Sequence, residues 1–552
     1  MATATAEAVR PAVHHSWAQG REVEGRGGLR EATSPATGEP FAQASLLDAS
    51  QAEAAIAAAH AAFPAWSRTS VAERTRLIDR WRQAIVEERD EIARLIELEQ
   101  GKPFAEAMAA EVLPSLDALA WLSAHAEDLL RDEPVEASQL LLAHKQARLV
   151  HEPIGVVLAI KPWNYPWAQS LPVLAAALVA GNTAVLKPAP ATTLIGLRMG
   201  ALAHKAGFPP GVVSVVAVDD ALAASLVEHP RVGKIVFTGS AATGRKVMAG
   251  AAKNLTPVVL ELGGKDAAIV SRDADLERAA KGIVWAAFLN AGQTCASVER
   301  VYVEKPVAET FLAKLLDETR ALRPARGGPG ELGPMTLERQ RAVVEQHVAD
   351  AVARGARVLT GGVRGEGPGF FYPPTVLTGV DHSMLVMREE TFGPVLPVMT
   401  VASLDEAIRL ANDSAYGLTA SGWTRSGETA ARLQRELVAG VVSINDHVSS
   451  FGEPAAPWGG VKSSGIGRIH GPLGLREMTR AKYVSLDRGR GPELWWYPYD
   501  AAFGRLVSRS AEALYSTSLA RRLAGQARLL GFARLWRRFG PRRLLGGLDK
   551  LL

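Results

Sequence analysis

Cysteine is almost absent from this chain: Cys295 is the only one among 552 residues. An intrachain disulfide is therefore excluded, and the composition favours a reducing compartment, which we expect to be the cytoplasm. Residues 1–15 contain no apolar run, so a secretory signal is not expected. The longest uncharged apolar stretch, residues 167–186, is interrupted by Pro172, Gly181 and Asn182, which favours a helix, a turn and a strand over a membrane span.

Net charge is also small, at +4, but it is unevenly distributed. Residues 501–552 carry 11 Lys and Arg against 2 Asp and Glu, a net of +9 that leaves −5 for the other 500 residues. The basic character therefore belongs to the C-terminal segment and says nothing about the body of the protein. With 47% hydrophobic and 22% charged residues, collagen-like, coiled-coil and disordered classes are excluded.

The pattern of hydrophobic residues divides the chain into regions. Residues 1–45 have no sustained period and are expected to form an irregular arm, residues 52–130 have helical composition, and residues 136–152 are expected to form a hairpin. From residue 154, short β-branched runs alternate with Ala- and Leu-rich stretches, which predicts parallel sheets covered by helices in two successive α/β domains. The predicted strands are 156–160, 184–186, 212–216, 234–237, 258–262, 300–303, 357–360, 395–401, 420–424 and 441–444.

Two residues have the setting of reactive groups. Cys295 lies in a segment of small residues, where a thiolate could act as a nucleophile, although a lone cysteine is more often a buried hydrophobe. Glu261 ends an apolar run and precedes Gly263 and Gly264. Ligands of α/β sheets bind at the carboxyl ends of strands, and glycine allows a backbone or ligand to approach closely. A salt bridge is the commoner role of a single glutamate.

Two further turns follow predicted strands. Asn164 offers a side-chain amide that can donate to a developing oxyanion, although asparagine before a turn is common. The segment from Phe237 to Gly244 opens a helix, whose first N–H groups favour phosphate. A glycine-rich turn is a weak signal by itself, and no GxGxxG fingerprint lies near it.

Seven motifs in this order resemble the aldehyde dehydrogenase superfamily over about residues 20–488. They are Pro162-Trp163-Asn164-Tyr165-Pro166; Gly181-Asn182-Thr183 with Lys187-Pro188; Phe237-Thr238-Gly239-Ser240; Glu261-Leu262-Gly263-Gly264-Lys265; Gly292-Gln293-Thr294-Cys295; Glu389-Glu390-Thr391-Phe392-Gly393-Pro394; and Pro457-Trp458-Gly459-Gly460-Val461-Lys462-Ser463-Ser464-Gly465.

The resemblance implies NAD(P)+-dependent oxidation of an aldehyde to a carboxylic acid, with no metal. Cys295 would add to the aldehyde, and Asn164 with the backbone N–H of Cys295 would bind the thiohemiacetal oxyanion. Glu261 would activate the water that hydrolyses the thioester. NAD or NADP is expected because no side chain can accept the hydride. The positions that match dinucleotide contacts of the family are Trp163, Lys187, Gly239, Ser240, Gly244, Glu390 and Phe392.

The fold class implied by the resemblance is α/β: a Rossmann-like cofactor domain, an α/β catalytic domain and a small bridging hairpin. We expect the dinucleotide-binding domain at residues 1–135 and 153–263, the bridging element at 136–152 with about 479–488, and the catalytic domain at 264–478. Residues 489–552 would form a basic C-terminal extension. The family implies a homodimer or homotetramer joined through the hairpin.

The chain departs from the family pattern at two places. Pro190 stands where the family often has a glutamate that binds the adenosine ribose, so its absence weakens an expectation of strict NAD preference. After Gly467-Arg468 the family commonly has glutamate, whereas this chain has Ile469-His470-Gly471. Water near Glu261 is therefore expected to be ordered differently. This variant with a long extension is similar to some bacterial succinate-semialdehyde dehydrogenases.

The aldehyde tunnel is expected to be lined by Trp167, Ala168, Thr294, Ala296 and the loop 447–454, which contains no Arg or Lys. A distal carboxylate would normally meet a cation, so an uncharged aliphatic or aromatic aldehyde is favoured over succinate semialdehyde. An arginine from elsewhere would reverse this. A CoA-acylating enzyme would generally lack the base at Glu261, and a catalytically silent protein would not be expected to keep Cys295, Glu261 and Asn164 together.

The C-terminal segment has its own pattern. Residues 519–552 are expected to form a basic amphipathic helix, which suits contact with an anionic membrane surface. A helix packed on its own subunit or on a neighbour explains the pattern equally, and nucleic-acid binding is not expected. The apolar face would comprise Leu529, Phe532, Leu535, Trp536 and Phe539.

Overall fold

The computed structural model of the protein describes residues 12–137, 142, 144–326, 328–488, 493, 495–497 and 499–530. The chain divides into two compact units, Met1–Leu130 with Glu152–Arg480 and Arg131–His151 with Ala481–Leu552. All of the predicted catalytic and cofactor residues fall in the first unit.

The strands, in chain order, are β1 (Val13–His14), β2 (Ser16–Ala18), β3 (Arg21–Val23), β4 (Leu29–Thr33), β5 (Pro40–Ser45), β6 (Glu133–Val135), β7 (Gln146–Pro153), β8 (Val156–Ile160), β9 (Thr183–Lys187), β10 (Val213–Val215), β11 (Val232–Thr238), β12 (Val258–Glu261), β13 (Asp266–Val270), β14 (Val298–Glu304), β15 (Arg357–Thr360), β16 (Thr375–Thr378), β17 (Val395–Val401), β18 (Thr419–Trp423), β19 (Val441–Ile444), β20 (Gly465–Ile466) and β21 (Thr479–Leu486).

The α-helices are α1 (Ala49–Trp66), α2 (Val71–Glu87), α3 (Arg89–Gln100), α4 (Phe104–Ala107), α5 (Leu113–Leu129), α6 (Leu171–Val179), α7 (Thr193–Ala206), α8 (Asp220–Val227), α9 (Ala241–Ala251), α10 (Leu276–Phe288), α11 (Ala308–Ala321), α12 (Glu338–Ala353), α13 (Leu385–Arg388), α14 (Leu404–Asn412), α15 (Gly427–Glu436), α16 (Gly471–Glu477), α17 (Ala501–Tyr515) and α18 (Leu519–Leu530).

An eight-stranded sheet forms the core of the first half of the larger unit, in the order β20-β12-β11-β8-β9-β10-β2-β3. Strands β12, β11, β8, β9 and β10 are parallel, and β8 and β9 are buried along their whole length. The chain passes from β8 to β9 and β10 on one side and resumes with β11 on the other. At such a reversal of strand order, ligands bind in the crevice at the carboxyl ends.

A second, seven-stranded sheet has the order β15-β16-β17-β14-β13-β18-β19. All neighbours are parallel except the edge pair β15 and β16. Helices alternate with these strands along the chain, which is the arrangement expected when crossovers cover both faces of a parallel sheet. The predicted α/β architecture is therefore observed in both sheets.

The expectation of an irregular arm over residues 1–45 is wrong for its described part. Strands β2 and β3 extend the eight-stranded sheet, and β1, β5 and β4 form a separate three-stranded sheet. These strands contain two to six residues each and pair mostly with one another, and β2 also joins the larger sheet through Trp17 opposite Val215. Strands this short leave no periodic signal in the sequence.

Local sequence explains where the early helices begin, but not every break. Asp48 and Ser70 cap α1 and α2 by accepting from the N–H of Gln51 and Glu73, which are capping boxes. The helical stretch 71–100 is divided at Glu88, whose backbone leaves the helical region, and a π-helical turn, Met108–Val112, precedes α5. Strands β13 and β16 have no counterpart among the predicted strands.

The smaller unit contains the antiparallel pair β6 and β7, as expected for a hairpin near residues 136–152, and β21 pairs with β7. Helices α17 and α18 pack against each other where Gly525 meets Ala513. Within the described part of the chain, no helix is long and apolar enough to cross a membrane. The predicted apolar face at Leu529, Phe532, Leu535, Trp536 and Phe539 lies outside the residues whose side chains are described.

Candidate active site

Cys295 lies in the loop that immediately precedes β14, and its side chain is partly buried. The preceding turn has positive φ at Asn290, Ala291 and Gly292. A Cβ on Gly292 would collide with the carbonyl of Gly393, so this position requires glycine. Burial raises the pKa of the Cys295 thiol, which keeps it protonated at neutral pH until a base or a ligand changes its surroundings.

Glu261, at the carboxyl end of β12, is buried, and neither carboxyl oxygen has a hydrogen-bond partner among the described residues. Burial raises its pKa well above the usual range, and the nearby charges of Lys161 and Arg468 oppose this only in part. A Cβ on Gly459 would come within 2.9 Å of Glu261 Oε1, so this glycine leaves space for the carboxyl group. When it is ionised, a carboxylate in this setting is a stronger base than one exposed to water.

The two glycines after Glu261 allow three segments to meet. A Cβ on Gly264 would collide with the carbonyl oxygen of Cys295, and a Cβ on Gly263 would collide with the carboxyl group of Glu390. The N–H of Gly264 donates to Glu390 Oε1 at 3.0 Å. The structure therefore brings the segments of Glu261, Cys295 and Glu390 together, although they are far apart in the chain.

Asn164 follows β8, and its Nδ2 donates to the backbone carbonyl of Gln293 at 2.9 Å. Its own carbonyl accepts from Lys102 Nζ at 2.7 Å and from Asn290 Nδ2 at 2.9 Å. The side-chain amide of Asn164 therefore lies against the loop segment that precedes Cys295. An amide N–H is a group that can donate to an oxyanion.

A buried network that the sequence reasoning missed supports this placement. Lys102 Nζ pairs with Glu111 Oε1 at 3.1 Å, and both side chains are fully buried. The other Glu111 oxygen accepts from the N–H groups of Trp167 and Ala168, each at 2.9 Å. Charged residues within an apolar helical stretch were the available signal, since buried charges require partners.

A cavity of about 780 Å³ lies at the carboxyl ends of β8, β9, β11 and β12 and reaches Cys295. Six of the seven predicted cofactor residues line it: Trp163, Lys187, Gly239, Ser240, Glu390 and Phe392. Gly244 does not line it; within α9 it lies against Leu262, where a larger residue would collide. Gly244 therefore allows helix α9 to approach the sheet, rather than touching the cavity.

The residues of this cavity suit a dinucleotide. The first turn of α9, capped by Ser240, presents backbone N–H groups of the kind that bind phosphate. Trp163 and Phe392 form an edge-to-face pair with ring centroids 5.4 Å apart. Glu299, which the sequence reasoning missed, fixes this wall because its carboxylate accepts from the N–H of Phe392 at 2.9 Å.

A second cavity, of about 720 Å³, reaches Cys295 from another side. Thr294, Ala296 and part of the loop 447–454 line it, as predicted. Trp167 and Ala168 do not line it; both are buried in the core, and the backbone N–H groups of both donate to Glu111. Most of the wall is apolar and includes Val284, Trp285, Phe288, Leu289, Phe451 and Trp458.

Comparison with known proteins agrees with this geometry. Residues 23–484 match the model of the aldehyde dehydrogenase family. The chain is 37% identical to a succinate-semialdehyde dehydrogenase [NADP(+)] of Escherichia coli (strain K12), over 83% of this chain and 94% of that protein. It is 40% identical to a 4,4'-diapolycopene aldehyde oxidase of Methylomonas sp, over 79% of this chain and 82% of that protein.

A crystal structure of an NAD-dependent aldehyde dehydrogenase from Sinorhizobium meliloti is also similar. It has a TM-score of 0.84 and 34% sequence identity, with coverage of 88% of this chain and 97% of that chain. The fold class, the use of NAD or NADP and the oxidation of aldehydes to acids, all predicted from the sequence, are confirmed by these likenesses.

Proposed function

Because the chain belongs to the aldehyde dehydrogenase family, we propose that it oxidises an uncharged aldehyde with an apolar aliphatic or aromatic body. The observation that carries this proposal is the second cavity at Cys295. None of its lining residues in the described part of the chain is an arginine, and its one lysine, Lys281, is already paired.

The charges in the cavity wall support this proposal. Lys281 Nζ lies 3.0 Å from Glu277 and 3.9 Å from Glu318, so its charge is compensated. The remaining charged groups in the lining are carboxyl groups, among them Glu106 and Glu331. Glu331 is paired with Arg323 at 2.6 Å, and burial raises the pKa of Glu106 to about 7. A carboxylate-bearing substrate would lose its hydration here without gaining a free cation.

We further propose that Cys295 is the nucleophile, because it is the one residue in the lining of both cavities that can form a thioester. Asn164 and the N–H of Cys295 would hold the oxyanion of the thiohemiacetal. When bound, the nicotinamide supplies the hydride acceptor. Phe392 would lie against the nicotinamide ribose, and Trp163, Lys187, Gly239 and Ser240 would hold other parts of the dinucleotide.

Glu261 is proposed as the base for thioester hydrolysis. It lines the cofactor cavity beside Cys295, and burial makes its carboxylate a stronger base than an exposed one. This supports transfer of the acyl group to water, and it argues against the CoA-acylating alternative. Ile469 stands where the family commonly has glutamate. The next residue, His470, packs its ring against Phe451 with ring centroids 4.9 Å apart, and neither of its ring nitrogens is bonded among the described residues.

The test of the substrate class is a comparison of matched aldehydes. We expect kcat/KM for butanal and benzaldehyde to exceed that for succinate semialdehyde and 4-carboxybenzaldehyde by about tenfold or more. In the acidic partner of each pair, a carboxylate replaces the terminal methyl group of butanal or a ring hydrogen of benzaldehyde. Trp285→Arg should raise the relative kcat/KM of the acidic partner, and Trp285→Gln is the uncharged control. A wild-type preference for the acidic partner of both pairs would overturn the proposal.

We also propose that the chain forms a homo-oligomer through the sheet of the smaller unit. Edge strand β21 has eight residues, most of them exposed, including Tyr483 and Leu486. Long exposed edge strands tend to pair with another chain. Light scattering after gel filtration should give a dimer or tetramer, and Tyr483→Lys should weaken it; a monomer at micromolar concentration would contradict this.

For the C-terminal segment we propose peripheral contact with an anionic lipid surface. In its described part, Leu519 and Leu523 are exposed on α18, beside the exposed Arg521 and Arg522. Co-sedimentation with anionic vesicles, compared with neutral vesicles, should retain the full chain but not Arg521→Glu with Arg522→Glu. Equal retention by both vesicle types, or none, would favour a helix that packs on protein instead.

A further inference from the structure

One wall of the cofactor cavity carries a carboxylate that the family motifs do not include. Lys187, Pro190 and Asp220 all line this wall. Pro190 occupies the position where the family often has a ribose-binding glutamate, so that position offers no acceptor here. Asp220 comes instead from the first turn of α8, which follows β10 at the neighbouring carboxyl end of the same sheet.

Asp220 is placed to meet a ligand rather than to complete the fold. Its side chain is 85% exposed, whereas Lys187, with which it pairs at 3.2 Å, is 5% exposed. The capping role at this helix belongs to Asp219, which accepts from the N–H of Leu222 at 2.7 Å. Asp220 therefore does not cap this helix, and among the described residues only its Oδ1 is hydrogen-bonded, to Lys187, so Oδ2 can accept another hydrogen bond.

The Lys187–Asp220 pair also affects how strongly this wall of the cavity attracts a negatively charged ligand. Four cationic side chains line the cavity: Lys161, Lys187, Lys246 and Arg339. Of these, Lys187 is the one paired with Asp220, and Asp220 and the nearby Asp219 compensate its charge. Arg30 is the other cation near this carboxylate; its guanidinium donates to the carbonyl of Val218, and the charges of Asp219 and Asp220 act on it as well. Around the Lys187–Asp220 pair, the described residues thus place two carboxylates, Asp219 and Asp220, beside two cations, Lys187 and Arg30.

We propose that Asp220 selects NAD+ over NADP+ in this protein by replacing the carboxylate that is absent at Pro190. The carboxylate of Asp220 accepts hydrogen bonds from the ribose hydroxyl groups of NAD+. A 2′-phosphate carries about two negative charges and is repelled by the same carboxylate, while Lys187 is already engaged. Selection by a helix residue explains how the chain tolerates proline at position 190.

Binding of the cofactor in the absence of aldehyde tests this directly. Calorimetric titration of the full chain with NAD+ and NADP+ should show NAD+ binding tighter by about tenfold or more. Asp220→Asn should weaken NAD+ and strengthen NADP+, so that the ratio of dissociation constants falls by about tenfold. Asp219→Asn is the matched control, because it removes the adjacent charge and keeps a residue that can cap α8.

Two outcomes would overturn the proposal. One is wild-type protein that binds NADP+ as tightly as NAD+. The other is a ratio that Asp220→Asn leaves unchanged, or that Asp219→Asn changes by as much. Thermal unfolding of each variant, followed by circular dichroism, shows whether the fold is intact. Because no aldehyde is present, the result is independent of the proposed substrate.

Discussion

Replacing Glu261 by glutamine tests the proposed hydrolytic step most sharply. The substitution preserves the shape of a buried side chain whose oxygens have no hydrogen-bond partner among the described residues. Burial raises the pKa of Glu261 well above its usual range, so its surroundings favour the uncharged form of this group more than water does. An uncharged amide should therefore change the free energy of unfolding by no more than about 1 kcal/mol.

The kinetic effect should be far larger than the effect on stability. A positioned general base contributes about 10²–10⁴-fold in rate. This corresponds to about 2.7–5.5 kcal/mol of activation free energy, which the variant should lose in the hydrolysis of the thioester. Since the hydride leaves before that step, a burst of reduced nicotinamide equal to one per active site should persist in stopped-flow absorbance measurements. Only the steady-state rate after the burst should fall.

The pH dependence gives the same test a second readout. A base acts in its ionised form, and a raised pKa means that this form is reached only at higher pH. The wild-type kcat should therefore decline as the pH is lowered through a midpoint well above 4.5, the ordinary value for glutamate. Glu261→Gln should lack this limb. The reasoning is refuted if the burst disappears together with the steady-state rate, or if the wild-type midpoint lies near 4.5.

Three further changes probe neighbouring parts of the site. Cys295→Ala should abolish aldehyde oxidation while NAD+ still binds in calorimetry, and normal turnover would exclude this nucleophile. Asn164→Ala should lower kcat by about 10²–10³-fold with little change in melting temperature, because Asn290 Nδ2 still donates to the Gln293 carbonyl at 3.1 Å; an unchanged kcat would remove Asn164 from the oxyanion site. Gly459→Ala should displace the carboxyl group of Glu261, so the burst should survive and steady-state turnover should fall.

Much of the chemistry could be predicted from single segments. Cys295, Glu261 and Asn164 each lie in a short motif whose glycines or turn residues are needed by the local backbone, so the motif and the geometry occur together. Six of the seven predicted cofactor residues line one cavity for the same reason. Gly244 does not line that cavity but lies against Leu262, because a glycine in a helix can serve either a ligand or the packing of the helix, and the sequence does not distinguish these.

Sequence alone also determined the alternation of strands and helices, because buried parallel strands are continuous apolar runs that can be recognised without knowing their neighbours. It could not reveal β1 to β5, which are too short to show a period, or the burial of Trp167 in the core. Only the tertiary structure decided that Asp220 faces Lys187, that Lys281 is already paired, and that the glycines after Glu261 admit the backbone of Cys295. Such contacts join residues far apart in the chain, so they depend on sheet register and packing rather than on local preference.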